Sequence, residues 1–332
     1  MKKRKILVCA VGMLVFTAIS VFLSLWIGAR VIPFREVLDI LLGRAEDSIV
    51  SRVVMARIPR TVFGLVAGGA LGVSGAIMQS ITRNPVADPS ILGVNTGAAL
   101  AVVCGLVFLN ISTPEEYIWL AMLGAGLTTA LVYGIASLGP AGITPLKLAL
   151  SGATVSTALG SMLSTVLLPD SDAMNSYRFW QLGSVGAASW DTLVLLLPFF
   201  AVGIILAMLL AEHMNMVALG DEMAASLGVN VSLVRFLSCA AGVILCGATT
   251  ALAGPIGFIG LMVPHLLRIV IGSDMRVILP MSVLSGGGLL LISDVIGRVL
   301  GRPGETEVGI ITALLGAPVF IYVVLKEKVK SL

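Results

Sequence analysis

The sequence predicts an all-α, polytopic membrane protein with about ten transmembrane helices, arranged as a five-plus-five inverted repeat. Three observations lead there. Hydrophobic residues make up 58% of the 332 residues and charged ones only 12%, roughly half the charge of an ordinary soluble domain. Apolar segments fall at 5–29, 57–81, 90–109, 116–138, 146–168, 190–211, 232–253, 258–271, 277–297 and 307–325. Two backbone-breaking stretches, 83–89 and 254–260 with Pro264 beyond, occupy corresponding places in the halves 5–168 and 190–325, on opposite sides of the membrane. Broken backbone at membrane depth is tolerated only where protein or a cavity surrounds it. The whole chain, 1–332, reads as a single transmembrane domain.

The first segment follows Lys2, Lys3, Arg4 and Lys5. Its apolar run is too long for a signal peptide and no small-x-small cleavage site follows, so it is expected to remain as a span with its basic end inside. Ten spans return the chain to the starting side, and Lys326, Lys328 and Lys330 at the far end also argue for the cytoplasm. Every lysine then lies inside or at the inner edge, Lys147 included. The basic residues left outside are all arginines: Arg30, Arg35, Arg44, Arg52, Arg57, Arg60, Arg178, Arg298 and Arg302.

Six of these crowd between Arg30 and Arg60, against the rule that keeps basic loops inside. Guanidinium forks bind carboxylates bidentately, so an acidic partner outside is one reading. Pairing with Glu36, Asp39, Glu46 and Asp47, or with lipid headgroups, is the other. Residues 33–43 have helical apolar spacing but are too short to span, and suit an amphipathic helix lying at the outer surface.

The second span places Gly64, Gly68, Gly72, Ala76 and Ser80 at four-residue intervals, a smooth ridge for close helix approach. The seventh repeats it more weakly with Gly242, Cys246, Thr250 and Gly254. Cys9, Cys104, Cys239 and Cys246 sit in apolar runs without metal-ligand spacing, and read as packing residues. Between spans six and seven, residues 214–229 turn at Gly220, start a helix at Asp221 and Glu222, and end it at Gly228. Met223, Ala224 and Leu227 are expected on one side of this helix, exposed to the cytoplasm and suited to docking a partner.

Catalytic and metal chemistry find no support. Asp294 is the one carboxylate well inside a span, one turn before Arg298, where an intrahelical pair accounts for it. His213 and His265 lack companions in sequence, which weakens proton- or sodium-coupled transport, although carbonyls and hydroxyls alone can hold sodium. No lysine follows a glycine, so the chain has no phosphate loop. Any ATP-driven step needs a separate ATPase polypeptide.

Several motifs together resemble one family. They are Arg57-Ile-Pro-Arg60, Gly75-Ala-Ile-Met-Gln79 leading to Asn84-Pro85 and Asp88-Pro89, Leu92-Gly93-Val94, Ala218-Leu219-Gly220-Asp221, Gly254-Pro-Ile-Gly-Phe-Ile-Gly260 with Val263-Pro264-His265, and Gly316-Ala317-Pro318. From about residue 30 onward the chain is similar to the permease subunit of type II ATP-binding-cassette importers for iron-siderophores, haem and cobalamin. The resemblance implies two permease subunits around one pathway, as a homodimer or a homologous heterodimer in the bacterial cytoplasmic membrane. ATPase subunits that hold ATP and magnesium dock below, and a substrate-binding protein docks outside. It implies no cofactor, metal, catalytic residue or nucleic acid in this chain.

By that resemblance Arg57, Arg60 and Arg298 receive carboxylates of the binding protein. Ala218, Leu219, Gly220, Asp221, Glu222, Met223 and Leu227 couple to the ATPase, within the 216–228 match. Asn84, Val86, Thr144 and Leu146 close the pathway on the cytoplasmic side. The stretch 83–95 is closer to siderophore members, which favours a ferric siderophore over haem or cobalamin. A secondary transporter active alone, or a membrane-embedded enzyme, are the rival classes.

Overall fold

The computed structural model describes residues 2–44, 48–109, 111, 113–138 and 143–330, so Glu46 and Asp47 lie outside the described residues. The described residues are helical throughout, without a strand. In chain order the helices are α1 Lys2–Trp26, α2 Phe34–Leu41, α3 Ile49–Thr82, α4 Val94–Cys104, α5 Pro114–Ser137, α6 Pro145–Leu167, α7 Ser171–Gln181, α8 Trp190–Ala218, α9 Asp221–Ser226, α10 Val231–Ala253, α11 Ile259–Ile271, α12 Met275–Leu300 and α13 Val308–Lys330. A single 3-10 turn, Pro89–Leu92, precedes α4, and a π-helical turn, Gly105–Leu109, extends it.

Among the described residues seven helices are long and apolar enough to cross a membrane: α1, α3, α5, α6, α8, α10 and α12. The shorter apolar helices Val94–Leu109, Ile259–Ile271 and Val308–Tyr322 complete the ten segments read from sequence. Three differences stand out. The first span ends at Trp26, and the second starts at Ile49 because Ser48 caps it, its hydroxyl accepting from the Ser51 amide. Helix α7, between spans five and six, was not anticipated; Asp170 caps its first turn.

Capping fixes where most spans begin. Thr113 with Glu116, and Ser189 with Thr192, form capping boxes for α5 and α8, while Thr144, Asn230 and Asp274 cap α6, α10 and α12. Each satisfies amides that bilayer hydrocarbon would leave unpaired.

Helix α3 is the spine. Its small ridge meets α12 directly: Gly68 and Gly286 face each other's backbone, and a Cβ on Gly72 would sit 2.7 Å from the Ser282 carbonyl. The second ridge is also used, with Gly242 beside Ser74 and Thr250 bonded to Asn95 at 3.1 Å. Span two packs on span nine, and span seven on span four, the exchange an inverted repeat requires. In both halves a long span is followed by a break and then a short helix, α4 or α11. The rim is made by α1, whose Leu7, Val8, Val11 and Leu14 are exposed, and by α2, which buries Val37 and Ile40 against Val54.

Candidate functional site

Charged side chains gather at the two ends of the bundle. At one end α1 stops, α3 begins and α12 finishes. Arg57 is buried and turns toward α1, donating to the carbonyls of Leu25 (3.2 Å), Trp26 (2.7 Å) and Arg30 (3.2 Å). Its guanidinium thereby covers carbonyls that the end of α1 leaves unpaired. Arg298 is 2% exposed; it reaches the Ser24 carbonyl at 3.1 Å, the Ser24 hydroxyl at 3.0 Å and Asp294 at 2.9 Å. Arg60 bridges Asp294 at 2.6 Å and Glu305 at 2.7 Å.

The intrahelical Asp294–Arg298 pair is thus present, but Asp294 serves a second cation from α3. Although three residues apart on α3, Arg57 and Arg60 turn to different partners: the first caps α1, while the second points to α12. Of the three arginines, Arg60 alone keeps an exposed counterion, since the Glu305 side chain is 41% exposed. Arg30, Arg35, Arg44, Arg52, Arg178 and Arg302 are exposed, and among the described residues none of them is in an ion pair.

Roughly 35 Å along α3 from Arg60, Arg83 ends the helix in the left-handed region at φ 50°. Its guanidinium donates to the Val217 carbonyl at 2.6 Å and pairs with Asp221. Asp221 also pairs with Arg235 of α10 at 2.9 Å, and Arg235 reaches the Ile143 carbonyl at 3.3 Å. Burial acts to raise the Asp221 pKa, but Arg235 and Arg83 outweigh it and the carboxyl is held below its ordinary value.

Helix α9 ends at Gly228 (φ 82°), where Val229 donates to Ala224 and Gly228 to Ala225, a Schellman closure. Leu219, Met223 and Leu227 are exposed, whereas Ala224 is fully buried. Ala224 therefore leaves the exposed face on which the sequence placed it: a six-residue helix pressed on the bundle needs one small inward residue. Arg83, Leu219, Gly220, Asp221, Glu222, Met223 and Ser226 surround a depression of about 640 Å³.

Beside this end lie the residues expected to close a pathway. The Asn84 side chain accepts from the Val86 amide at 3.1 Å, tightening the turn after α3. Thr144 caps α6 through the Lys147 amide at 3.2 Å, and Leu146 is exposed. The two broken segments are carried toward one another: Pro85 and Val86 line one narrow crevice with Phe258, Met262 and Phe320. Gly254 and Phe258, both in the second break, take positive φ.

Between the charged ends lies a cavity of about 620 Å³ bounded by α4, α6, α7 and Pro255. Its polar lining includes Asn95, Thr96, Ser156, Ser164, Tyr177 and Gln181, with no carboxylate, lysine, arginine or histidine. Helix α6 exposes Thr154, Thr157, Ser161, Ser164 and Thr165, whose hydroxyls each donate to the carbonyl one turn back at 2.8–3.0 Å. That face is small and acceptor-rich, and suits water, a chelate or a second helix better than lipid chains. Sequence reasoning missed it; the signal was the run of Ser, Thr, Gly and Ala at helical spacing from Ser151 to Thr165. Among the described residues no cluster of three or more His, Cys, Asp or Glu side chains suits a metal.

A bundle of about ten apolar segments with charge at its ends and an uncharged cavity between defines a polytopic membrane protein. The comparisons specify which. Residues 16–326 match the FecCD transport family, and the chain belongs to it. This is the family of permease subunits of ATP-binding-cassette importers for siderophores, haem and cobalamin. The chain is 40% identical over 317 residues to the ferric enterobactin transport system permease of Escherichia coli K12, covering 95% of this chain and 94% of that one. It is 41% identical over 309 residues to the Fe(3+)-citrate import system permease of Bacillus subtilis 168, covering 92% and 91%. A hemin transport permease of Yersinia pestis is 37% identical over 277 residues, 82% of each chain. Among solved structures, an inward-facing metal-chelate type ABC transporter superposes with a TM-score of 0.82 at 27% identity, covering 98% of this chain and all of that one.

Proposed function

We propose that this chain is the permease subunit that passes a ferric siderophore across the cytoplasmic membrane, both termini inside. Cargo arrives from an extracytoplasmic binding protein, and a separate ATPase drives the cycle. One observation carries the reading: the polar lining of the cavity between the charged ends has hydroxyls and amides but no carboxylate, histidine, lysine or arginine. Such a path holds a large chelate weakly, leaving selectivity and energy to partners at the ends. Similarity to enterobactin and ferric-citrate permeases favours an iron chelate; haem or cobalamin is the alternative cargo.

The exposed hydroxyl face of α6 suits a second permease copy across the pathway, as a homodimer. Leu219 and Met223 are open to the ATPase. Asn84, Val86, Thr144 and Leu146, beside α9, form the cytoplasmic gate. At the outer end Arg60 is the arginine an incoming carboxylate reaches, by displacing exposed Glu305; Arg57 and Arg298 hold the rim beneath it.

The test is uptake of radiolabelled iron into proteoliposomes holding this chain, the ATPase and the binding protein. Uptake of a ferric siderophore that requires both partners and ATP is expected; uptake by this chain alone overturns the proposal in favour of ion coupling, and haem or cobalamin uptake alone reassigns the cargo. In the same system Arg60→Glu weakens capture of the binding protein about tenfold or more, and Glu305→Gln strengthens it, both measured by binding to nanodiscs at two salt concentrations. Unchanged capture in both variants removes Arg60 from the docking site.

A further inference from the structure

The Asp221 carboxylate occupies an unusual position. It sits at the first residue of α9, yet both of its partners belong to elements that lead to the gate. Arg83 is the residue at which α3 gives way to the 83–89 break, and it is held in the left-handed region. Arg235 is buried in α10 and also holds the Ile143 carbonyl, next to the Thr144 cap of α6. One carboxylate oxygen accepts from both guanidiniums. Arg83 further grips Val217 at the end of α8, just before the turn into α9.

We propose that Asp221, Arg83 and Arg235 form a clasp that transmits movement of α9 to both gate segments, 84–86 and 143–146. The proposal rests on the reading of α9 as the ATPase contact. Its physical basis is rigidity. The Schellman turn fixes the far end of α9, and burial of Ala224 keeps the helix on the bundle. A push on Leu219 and Met223 therefore displaces Asp221 as part of a solid body. The paired guanidiniums follow, because separating them leaves the buried Arg235 cation without its carboxylate. Arg83 and Arg235 are thus positioning residues, acting through the backbone of the two gate segments.

The experiment uses the full complex in proteoliposomes, with four readouts: crosslinking of Leu219→Cys to the ATPase, ATP hydrolysis, iron uptake per ATP, and labelling of Leu146→Cys by an impermeant maleimide with and without nucleotide. Asp221→Asn is expected to lower uptake per ATP about tenfold and to abolish the nucleotide-dependent change at Leu146→Cys. Asp221→Glu restores most of the coupling. Arg83→Gln, on a half-exposed side chain outside α9, gives the same loss with the crosslink and hydrolysis retained, and stands in should Asp221→Asn fail to assemble. The double variant is no worse than either single one, since both remove one interaction. Unchanged uptake per ATP in Asp221→Asn and Arg83→Gln, with the crosslink intact, overturns the clasp alone. Failure of the otherwise unaltered complex to crosslink at Leu219→Cys overturns the reading of α9 itself.

Discussion

Asp294 is a buried carboxylate shared between two cations. It is 3% exposed, and two guanidiniums from different helices converge on it at 2.6 and 2.9 Å. Removing one partner from a buried ion cluster is worse than removing the cluster, because the remaining charges are stranded. Asp294→Asn is therefore expected to destabilise the protein by about 3 kcal/mol, read as a lowered melting temperature in detergent. Asp294→Leu combined with Arg298→Met loses less, provided Arg60 keeps Glu305. Asp274 makes a different, pH-dependent contribution at the start of α12. Its hydrogen bond from Arg276 is the largest cause lowering its pKa from 3.8 to about 2, assisted by Asn215. A depressed carboxyl stabilises fully above its unfolded pKa and loses that contribution as pH falls through the folded one. Melting temperature should thus drop between pH 4 and pH 2 by more in the native chain than in Asp274→Asn; parallel curves would remove Asp274 as the source.

At the scale of elements, what could be read beforehand was whatever repeats along a helix. The ridge of Gly64, Gly68, Gly72, Ala76 and Ser80 is visible in sequence because close approach demands small residues at one period, and α3 does lie against α12 along it. Gly72→Val is expected to prevent assembly of α3 on α12, since its Cβ meets the Ser282 carbonyl, a backbone atom without freedom to retreat. Membrane yield measures this, and Gly126→Val, at a position with open space around it, should leave yield unchanged. Helix α7 was not legible for the converse reason. Ser171–Gln181 is short and polar, with no apolar face long enough to count, and Asp170 was its sole punctuation. The partners of the arginines were hidden as well. Sequence spacing put Arg57 and Arg60 three residues apart, but which carbonyl or carboxylate each one meets depends on α1 and α12, more than 30 and 230 residues away. Ala224 was misplaced because a six-residue helix is too short for its sequence to say which side faces the bundle.

Over the whole molecule, exposure alone does not say what a surface meets. Leu127 of α5 is 70% exposed in a purely apolar setting, as lipid contact requires. Ser164 of α6 is also exposed, but it lines the uncharged cavity together with Asn95, Tyr177 and Gln181. The two positions therefore make opposite demands on a charge. A carboxylate facing hydrocarbon costs about 2.5–3.5 kcal/mol at the helix centre on insertion scales, whereas one facing a water-filled path keeps its hydration. Leu127→Asp is expected to lower the amount of chain recovered in the membrane. Ser164→Asp should leave that amount unchanged and slow iron uptake, because a fixed charge in a path without counterions either repels or retains the passing chelate. Membrane yield by quantitative immunoblot and uptake by radiolabelled iron separate the two effects. If Ser164→Asp reduced yield as much as Leu127→Asp, α6 would face lipid at that position, and the hydroxyl face would be a packing feature and not the wall of a pathway.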